Sequence, residues 1–264
     1  MSWQSVAYRF WIGIHDRARA DTRSRSCIPR RSAVSSSSWC RASAPLPVLT
    51  LAQCGPTLPR DFYERPTLEV APDLIGKRLC VLHPNNALQT GLIVEVEAYL
   101  GTEDRASHAR LQKRGGSLVP SARSSLMFGP VGLAYVYLIY GLHHCVNVVA
   151  HAPGAVGAIL IRALRPEGSL AKKSCSGPAK LCAQLGIDRR HNGSSLLGTV
   201  QPAPTDAAGQ PLAQIFIATP NETPAPLPAQ VRSGPRIGVA YAGPDALLPY
   251  RFGLANDPDL SRPL

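Results

Sequence analysis

The chain has 264 residues, ample for one sizeable core, and a formal net charge of +11 at pH 7. The excess is local: residues 1–60 hold nine arginines against Asp16 and Asp21, and the remaining 204 residues hold 19 Lys and Arg against 15 Asp and Glu, a mildly basic +4 compatible with nucleic acid. Seven cysteines, an odd number with no C-x-x-C pair, do not form a disulfide framework or a zinc site, and no apolar run approaches the roughly 20 residues of a membrane span.

Residues 1–57 are rich in arginine and serine, with four serines in a row at Ser35–Ser38, and they lack sustained periodicity. Three readings stand for this stretch: a disordered basic arm, a start placed too far upstream, or a segment with the composition of a transit peptide. It is set apart from the fold, which is expected over residues 58–264. Asp61–Tyr63 and Pro66–Gly76 read as short helical pieces, broken at Pro72 and closed by Gly76. Arg78–His83 and Leu88–Leu100 read as the two strands of a hairpin.

Within the second strand, the stretch Gly91–Gly101 alternates with period 2. Leu92, Val94, Val96, Ala98 and Leu100 share one face. Ile93, Glu95, Glu97 and Tyr99 share the other, so two carboxylates and a phenol project side by side, roughly 6.5 Å apart for each pair of residues. Taken alone, this is either a solvated face or one wall of a polar pocket.

Residues 102–130 are polar and rich in glycine and serine, with Arg105, Arg110, Lys113, Arg114 and Arg123, and read as a long surface loop of the functional or disordered kind. Three strands follow, Leu133–Tyr140, Cys145–His151 and Ala158–Leu164, joined by turns short enough for antiparallel hairpins. Ser176–Gly186 reads as a helix with a capping serine, Pro178 in its first turn and Gly186 at its end. Ala213–Ala218 and Pro235–Gly243 are the remaining strands. The fold class is therefore α+β: a single domain on a curved, mainly antiparallel sheet with flanking helices.

Polar residues in apolar runs need a reason. Arg162 lies on the face of Leu160 and Leu164, and a buried guanidinium requires a partner, for which Glu95 or Glu97 is the natural choice. Asn147, between Cys145 and Val149, raises the same question with an amide. Tyr135 and Tyr137 share a strand face, and Tyr140 stands at the turn before Gly141. Tyrosines pack well on strands for their own sake. They also suit a pocket for a flat heterocycle, and an aromatic at a hairpin tip suits a wedge between bases.

Glu97-Ala-Tyr-Leu-Gly-Thr-Glu-Asp-Arg-Ala-Ser-His108, Tyr135-Val-Tyr-Leu-Ile-Tyr-Gly141 with Asn147, Leu160-Ile-Arg-Ala-Leu164, Ser176-Gly-Pro-Ala-Lys180 and Pro235-Arg-Ile-Gly-Val239 together resemble, in order and spacing, the alkyladenine (3-methyladenine) DNA glycosylases. The resemblance runs from Leu58 to the C-terminus. It implies a monofunctional enzyme that flips an alkylated or deaminated purine out of double-stranded DNA and hydrolyses its N-glycosidic bond, working as a monomer without metal or other cofactor. It further implies Glu97 as general base, with Arg162 and the backbone carbonyl of Ile237 holding the attacking water. Tyr99, His108 and Tyr137 would line the base pocket, Asn147 would disfavour normal purines, and Tyr140 would enter the duplex in place of the extruded nucleotide. The T-P-R-N-like segment common in the family is replaced here by Val119–Phe128, which has no asparagine. The expected location is the cytoplasm, with the nucleoid, or a nucleus or organelle should residues 1–57 be a targeting peptide.

Two other classes remain on the residues alone. One is a noncatalytic nucleic-acid-binding domain using the basic arm and Tyr140. The other is a sugar hydrolase with Glu95 and Glu97 as its carboxylate pair.

Overall fold

In the computed structural model, which describes residues 50–114, 116–199, 203–221 and 228–264, the alternating strand is the axis of one antiparallel sheet. The first half of the domain supplies helices α1 (Arg60–Tyr63) and α2 (Thr67–Asp73), then strands β1 (Arg78–Leu82), β2 (Leu88–Tyr99), β3 (Leu111–Arg114), β4 (Ser117–Pro120), β5 (Ala134–Ile139), β6 (His143–Val149) and β7 (Ala158–Pro166). Helix α3 (Pro178–Leu185) and strands β8 (Gln214–Ala218), β9 (Val231–Gly234) and β10 (Arg251–Leu254) complete it. Strand order in the main sheet is β5-β6-β7-β2-β1-β8, with β10 on β2 and β9 on β10. The α+β class holds, and among the described residues no helix is long and apolar enough to cross a membrane.

Strand β2 serves two neighbours on one edge. Its first half pairs with β1, from Leu82↔Leu88 to Arg78↔Leu92, and its second half pairs with β10, from Gly253↔Glu95 to Arg251↔Glu97. Strand β7 runs along the opposite edge from Gly91↔Pro166 to Tyr99↔Ala158. The glutamates thus lie on a three-strand strip, β10-β2-β7, in the middle of the sheet.

That strip is irregular. The β2–β7 register reads Ile93↔Leu164, then Glu95↔Ala163, then Val96↔Ile161, so Val94 and Arg162 each stand without a partner across the ladder. Opposed irregularities of this kind flip the phase of both strands. Ile93, Val96 and Ala98 all face the main core, as do Leu164, Ile161 and Ile159, while Val94, Leu160 and Arg162 do not. The strict alternation expected across Gly91–Gly101 therefore breaks at Val94. Ile93 belongs with the core rather than beside Glu95, and Leu164 does not share the face of Arg162.

Other elements differ from expectation for local reasons. The stretch 102–130 contains the β3–β4 ribbon and a 3-10 turn at Ser125–Phe128. Pro235–Gly243 is not a strand: Gly238 and Gly243 take positive φ (79° and 61°) and a 3-10 segment occupies Ala240–Leu247, so the strands of this region lie on either side, at β9 and β10. Helix α3 ends on left-handed Gly186 as expected, but its N-cap is Gly177, and the Ser176 hydroxyl donates instead to the Leu260 carbonyl at 2.8 Å. Cys54, Cys80, Cys145, Cys175 and Cys182 are buried free thiols.

The packed structure also includes residues upstream of Leu58. A 3-10 turn at Leu51–Cys54 sets Cys54 wholly inside, and Thr57 bridges to Ala218 on β8. The anchor is Arg78, 3 % exposed, whose guanidinium grips both Glu167 oxygens (2.8 and 2.9 Å) and donates to the carbonyls of Gln53 (3.0 Å) and Cys54 (3.1 Å). The expectation for residues 1–49 lies outside the described residues. Hydrogen bonds to a charged group contribute about 1.5–3 kcal/mol each. A chain beginning at Leu58 is accordingly expected to be less stable by about 3 kcal/mol than one beginning at Thr50, read as a shift of the urea midpoint.

Candidate active site

Glu95 and Glu97 are both fully buried, and a guanidinium sits between them. Displaced from the ladder, Arg162 points its Nε at Glu95 Oε1 (3.1 Å), its Nη1 at Glu97 Oε2 (3.3 Å) and its Nη2 at the Ser261 hydroxyl (3.3 Å). Burial works against its charge, but Glu97 and then Glu95 outweigh that and hold its pKa above the ordinary arginine value. A second guanidinium, Arg251 on β10, reaches Glu95 Oε1 at 3.1 Å. Two carboxylates and two guanidiniums thus form a charge-balanced buried cluster, the condition under which such groups are tolerated.

The two glutamates are not equivalent. Glu95 accepts four hydrogen bonds: from Arg162, from Arg251, from the Ser261 hydroxyl (2.9 Å) and from the Ser261 amide (2.6 Å). Three of these fall on Oε1 and one, from the Ser261 amide, on Oε2. Glu97 accepts three: Ile237 N–H on Oε1 (2.7 Å), and Tyr99 O–H (2.8 Å) and Arg162 on Oε2. Among the described residues Glu97 Oε1 has one donor, and Glu97 is the carboxylate whose partners include the Tyr99 phenol and the Ile237 backbone. The carboxylate pair of a sugar hydrolase needs both acids free to act on substrate, whereas Glu95 is engaged by two guanidiniums and by both the amide and the hydroxyl of Ser261.

The Tyr99 phenol is held well above its ordinary pKa by burial first and the Glu97 charge next, so it stays protonated as a donor to that carboxylate. Behind its ring lies Arg236, 4.9 Å from the centroid and bidentate to Asp104 (2.6 and 2.9 Å). Arg236 also donates to the Ala98 carbonyl at 2.9 Å, which fixes the segment whose next residue, Ile237, gives its amide to Glu97.

Strands β5 and β6 supply an aromatic group beside this cluster. Tyr135 and Tyr137 rings lie 5.1 Å apart, and His108 packs edge-on against Tyr137 at 4.7 Å with Nδ1 3.2 Å from the Tyr135 hydroxyl. Burial, then the nearby Arg123 and Arg110 charges, push the His108 pKa down to about 4, so its imidazole is neutral at pH 7. Asn147 is 2 % exposed, paired across the sheet with Tyr135 and Leu160, and its Nδ2 donates to the Tyr135 carbonyl at 2.9 Å. Arg123, the arginine of Val119–Phe128, lies over the Tyr137 ring at 5.1 Å.

Tyr140 stands apart, 75 % exposed at the β5–β6 turn. Positive φ at Tyr140 (52°) and Gly141 (71°), with Leu142 N–H donating to the Ile139 carbonyl at 3.1 Å, define a type I′ turn. A bulky residue in the left-handed region carries strain of order 1 kcal/mol.

The structure thus brings Glu97, Arg162, Tyr99 and Ile237 into direct contact and groups His108, Tyr137 and Asn147 around Tyr135. It leaves Tyr140 at the surface. Sequence reasoning missed Arg236, Asp104, Arg251 and Ser261. Arg236 and Asp104 fall inside motifs already quoted. Arg251 and Ser261 lie in short polar segments that carry no periodic signal.

A family model described as methylpurine-DNA glycosylase matches residues 61–258. A protein of Methanocella arvoryzae is 40 % identical over 219 residues, covering 78 % of this chain and 96 % of the relative. One from Anaeromyxobacter dehalogenans strain 2CP-C is 45 % identical over 208 residues, covering 78 % and 87 %. One from Rhodopseudomonas palustris strain HaA2 is 41 % identical over 234 residues, covering 84 % and 97 %. All three carry the name "Putative 3-methyladenine DNA glycosylase".

Because the folded imidazole takes its proton near pH 4 and an unfolded one near 6.5, the unfolded chain binds the extra proton first as pH falls. Stability linked to His108 is complete above pH 6.5 and is lost progressively toward pH 4. Melting temperatures measured across that window are expected to fall less steeply for His108→Asn than for the native chain.

Proposed function

The chain belongs to the methylpurine-DNA glycosylase family, and on that premise we propose that it is a monofunctional DNA glycosylase acting on alkylated or deaminated purines flipped out of duplex DNA. The observation that carries the proposal is the setting of Glu97: a buried carboxylate paired with Arg162, it is the one of the two glutamates that bonds Tyr99 and the Ile237 backbone beside the aromatic group, and a carboxylate so placed can take a proton from water. In this reading a water on Glu97 Oε1 gives its proton to the carboxylate as its oxygen bonds to C1′ of the deoxyribose. The C1′–N bond breaks, its electron pair goes to the departing purine, and an abasic site remains. Arg162 and the Ile237 backbone hold the water and the charge at Glu97.

Tyr99, Tyr137 and His108 are proposed to grip the extruded base. Electron-rich tyrosine faces favour a cationic alkylated purine over a neutral one by about 0.5–2 kcal/mol. A neutral His108 supports this role, since an imidazolium in the same place would repel such a base. Asn147, oriented by the Tyr135 carbonyl, is proposed to exclude normal purines, guanine above all through its exocyclic amino group. Tyr140 is proposed to fill the gap the nucleotide leaves, which its exposure at the apex of a tight turn supports.

Incubation with a duplex bearing a single hypoxanthine or ethenoadenine, followed by alkaline cleavage of abasic sites, tests the reading. Scission is expected from the native chain and expected to fall by about 10²–10⁴-fold in Glu97→Gln, with duplex binding retained. Equal scission by that variant would remove Glu97 from the mechanism. Absence of scission on every alkylated or deaminated purine would favour the binding-domain reading. Tyr140→Asn, which relieves the left-handed strain, is expected to raise thermal stability by about 1 kcal/mol while lowering excision from duplex more than from single-stranded substrate.

A further inference from the structure

We propose that the β3–β4 ribbon is a second DNA-contacting element, a basic finger that holds the phosphate backbone beside the lesion. Strands β3 and β4 form a two-stranded sheet of their own, joined to no strand of the main sheet among the described residues. All four residues of β3 are exposed, and so are Ser117 and Leu118 at the start of β4. The pairing sets Lys113 opposite Leu118 and Arg114 opposite Ser117. Directly opposed residues share a face, so one cation lies on each side of the ribbon.

Three observations point to a polyanion. The chain has no aspartate or glutamate between Asp104 and Glu167, so this region has no acid of its own to satisfy its cations. Outside the β3–β4 ladder, the side chains of Lys113 and Arg114 make no hydrogen bond or ion pair among the described residues, whereas other basic groups nearby are engaged. Arg110 donates to the carbonyls of Asp104 (3.2 Å), Ala109 (3.1 Å) and Arg105 (2.8 Å). Finally, Leu111 and Leu118 are 42 % and 63 % exposed on the same face as Lys113, an apolar surface suited to the wall of a groove rather than to water.

The position of the ribbon selects the partner. Its base is closed by the Ser121 amide on the Arg110 carbonyl (3.0 Å), and the residues flanking it, His108 and Arg123, both lie against the Tyr137 ring. The finger therefore rises from the rim of the aromatic pocket, where a strand whose base occupies that pocket has to pass. A charged groove around a flipped base draws its affinity from phosphate contacts, and each contact adds roughly one unit to the salt dependence of binding.

This inference rests on duplex DNA being the substrate of the site, and its test separates the two. Binding of an undamaged duplex is measured across salt concentrations for the native chain, K113A/R114A and K113R/R114K, alongside single-turnover excision at saturating enzyme. The alanine pair is expected to bind several-fold more weakly, with a slope of log affinity against log salt reduced by about 2, and to excise at the native rate once bound. The conservative pair is expected to restore the slope. An unchanged slope in the alanine pair, a slope the conservative pair fails to restore, or a lower saturating rate with an unchanged slope would each overturn the proposal. A native chain that binds with the expected slope but releases no base would overturn the enzymatic reading and leave the ribbon standing.

Discussion

The rest of the structure depends on one constraint: two carboxylates two residues apart on a central strand are shut away from water. Glu95 and Glu97 are both fully buried, and ions of like sign this close cannot persist in a low-dielectric interior unless opposite charges enclose them. The fold supplies two. Arg162 comes from β7 and Arg251 from β10, the two strands that flank this half of β2. The β2–β7 irregularity follows from the same need. A regular ladder gives every residue a cross-strand partner, and releasing Arg162 from its place lets the guanidinium turn toward both carboxylates at once.

The same constraint divides the labour of the two acids. Held by four donors, Glu95 is a fixed negative post that orients Arg162 and ties down Ser261. Glu97 is held by three groups from three parts of the chain: its own strand through Tyr99, β7 through Arg162 and the post-β9 segment through Ile237. The base pocket is therefore mechanically continuous with the chemistry. Tyr99 is proposed as a pocket wall and is a ligand of Glu97, and Arg236 braces that wall from behind while placing the Ile237 amide.

Much of this was legible from residue order. Alternation found β2, the hairpin partners β5 and β6 and the side-by-side pair of glutamates, because period 2 is a direct consequence of the pleat. Arg162 and Asn147 announced themselves as polar residues in apolar strands, and each has the buried partner such a residue requires. The phase flip at Val94 was not legible, since a register irregularity is a property of two strands at once and no residue type in either marks it. Strands β9 and β10 escaped notice for a related reason: four residues each, mostly short or polar, they are strands only because β2 offers an edge to β10 and β10 offers one to β9. The 3-10 segment at Leu51–Cys54 was hidden by the arginine- and serine-rich composition around it, and its place depends on a guanidinium 24 residues further along the chain.

The cluster's connectivity has a consequence for the order in which the protein comes into being. Glu95 must wait for a serine 166 positions later, and Glu97 for an amide 140 positions later. While the chain is still being synthesised, β2 can pair with β1 and β7, yet its two acids then share the single charge of Arg162 and still lack Arg251, Ser261 and the Ile237 amide. Contacts this distant in sequence form late and slowly. Under the proposed function this ordering is protective: a partly made chain has a sheet but no positioned base, so the capacity to open a glycosidic bond arrives with the final segment of the domain and not before it.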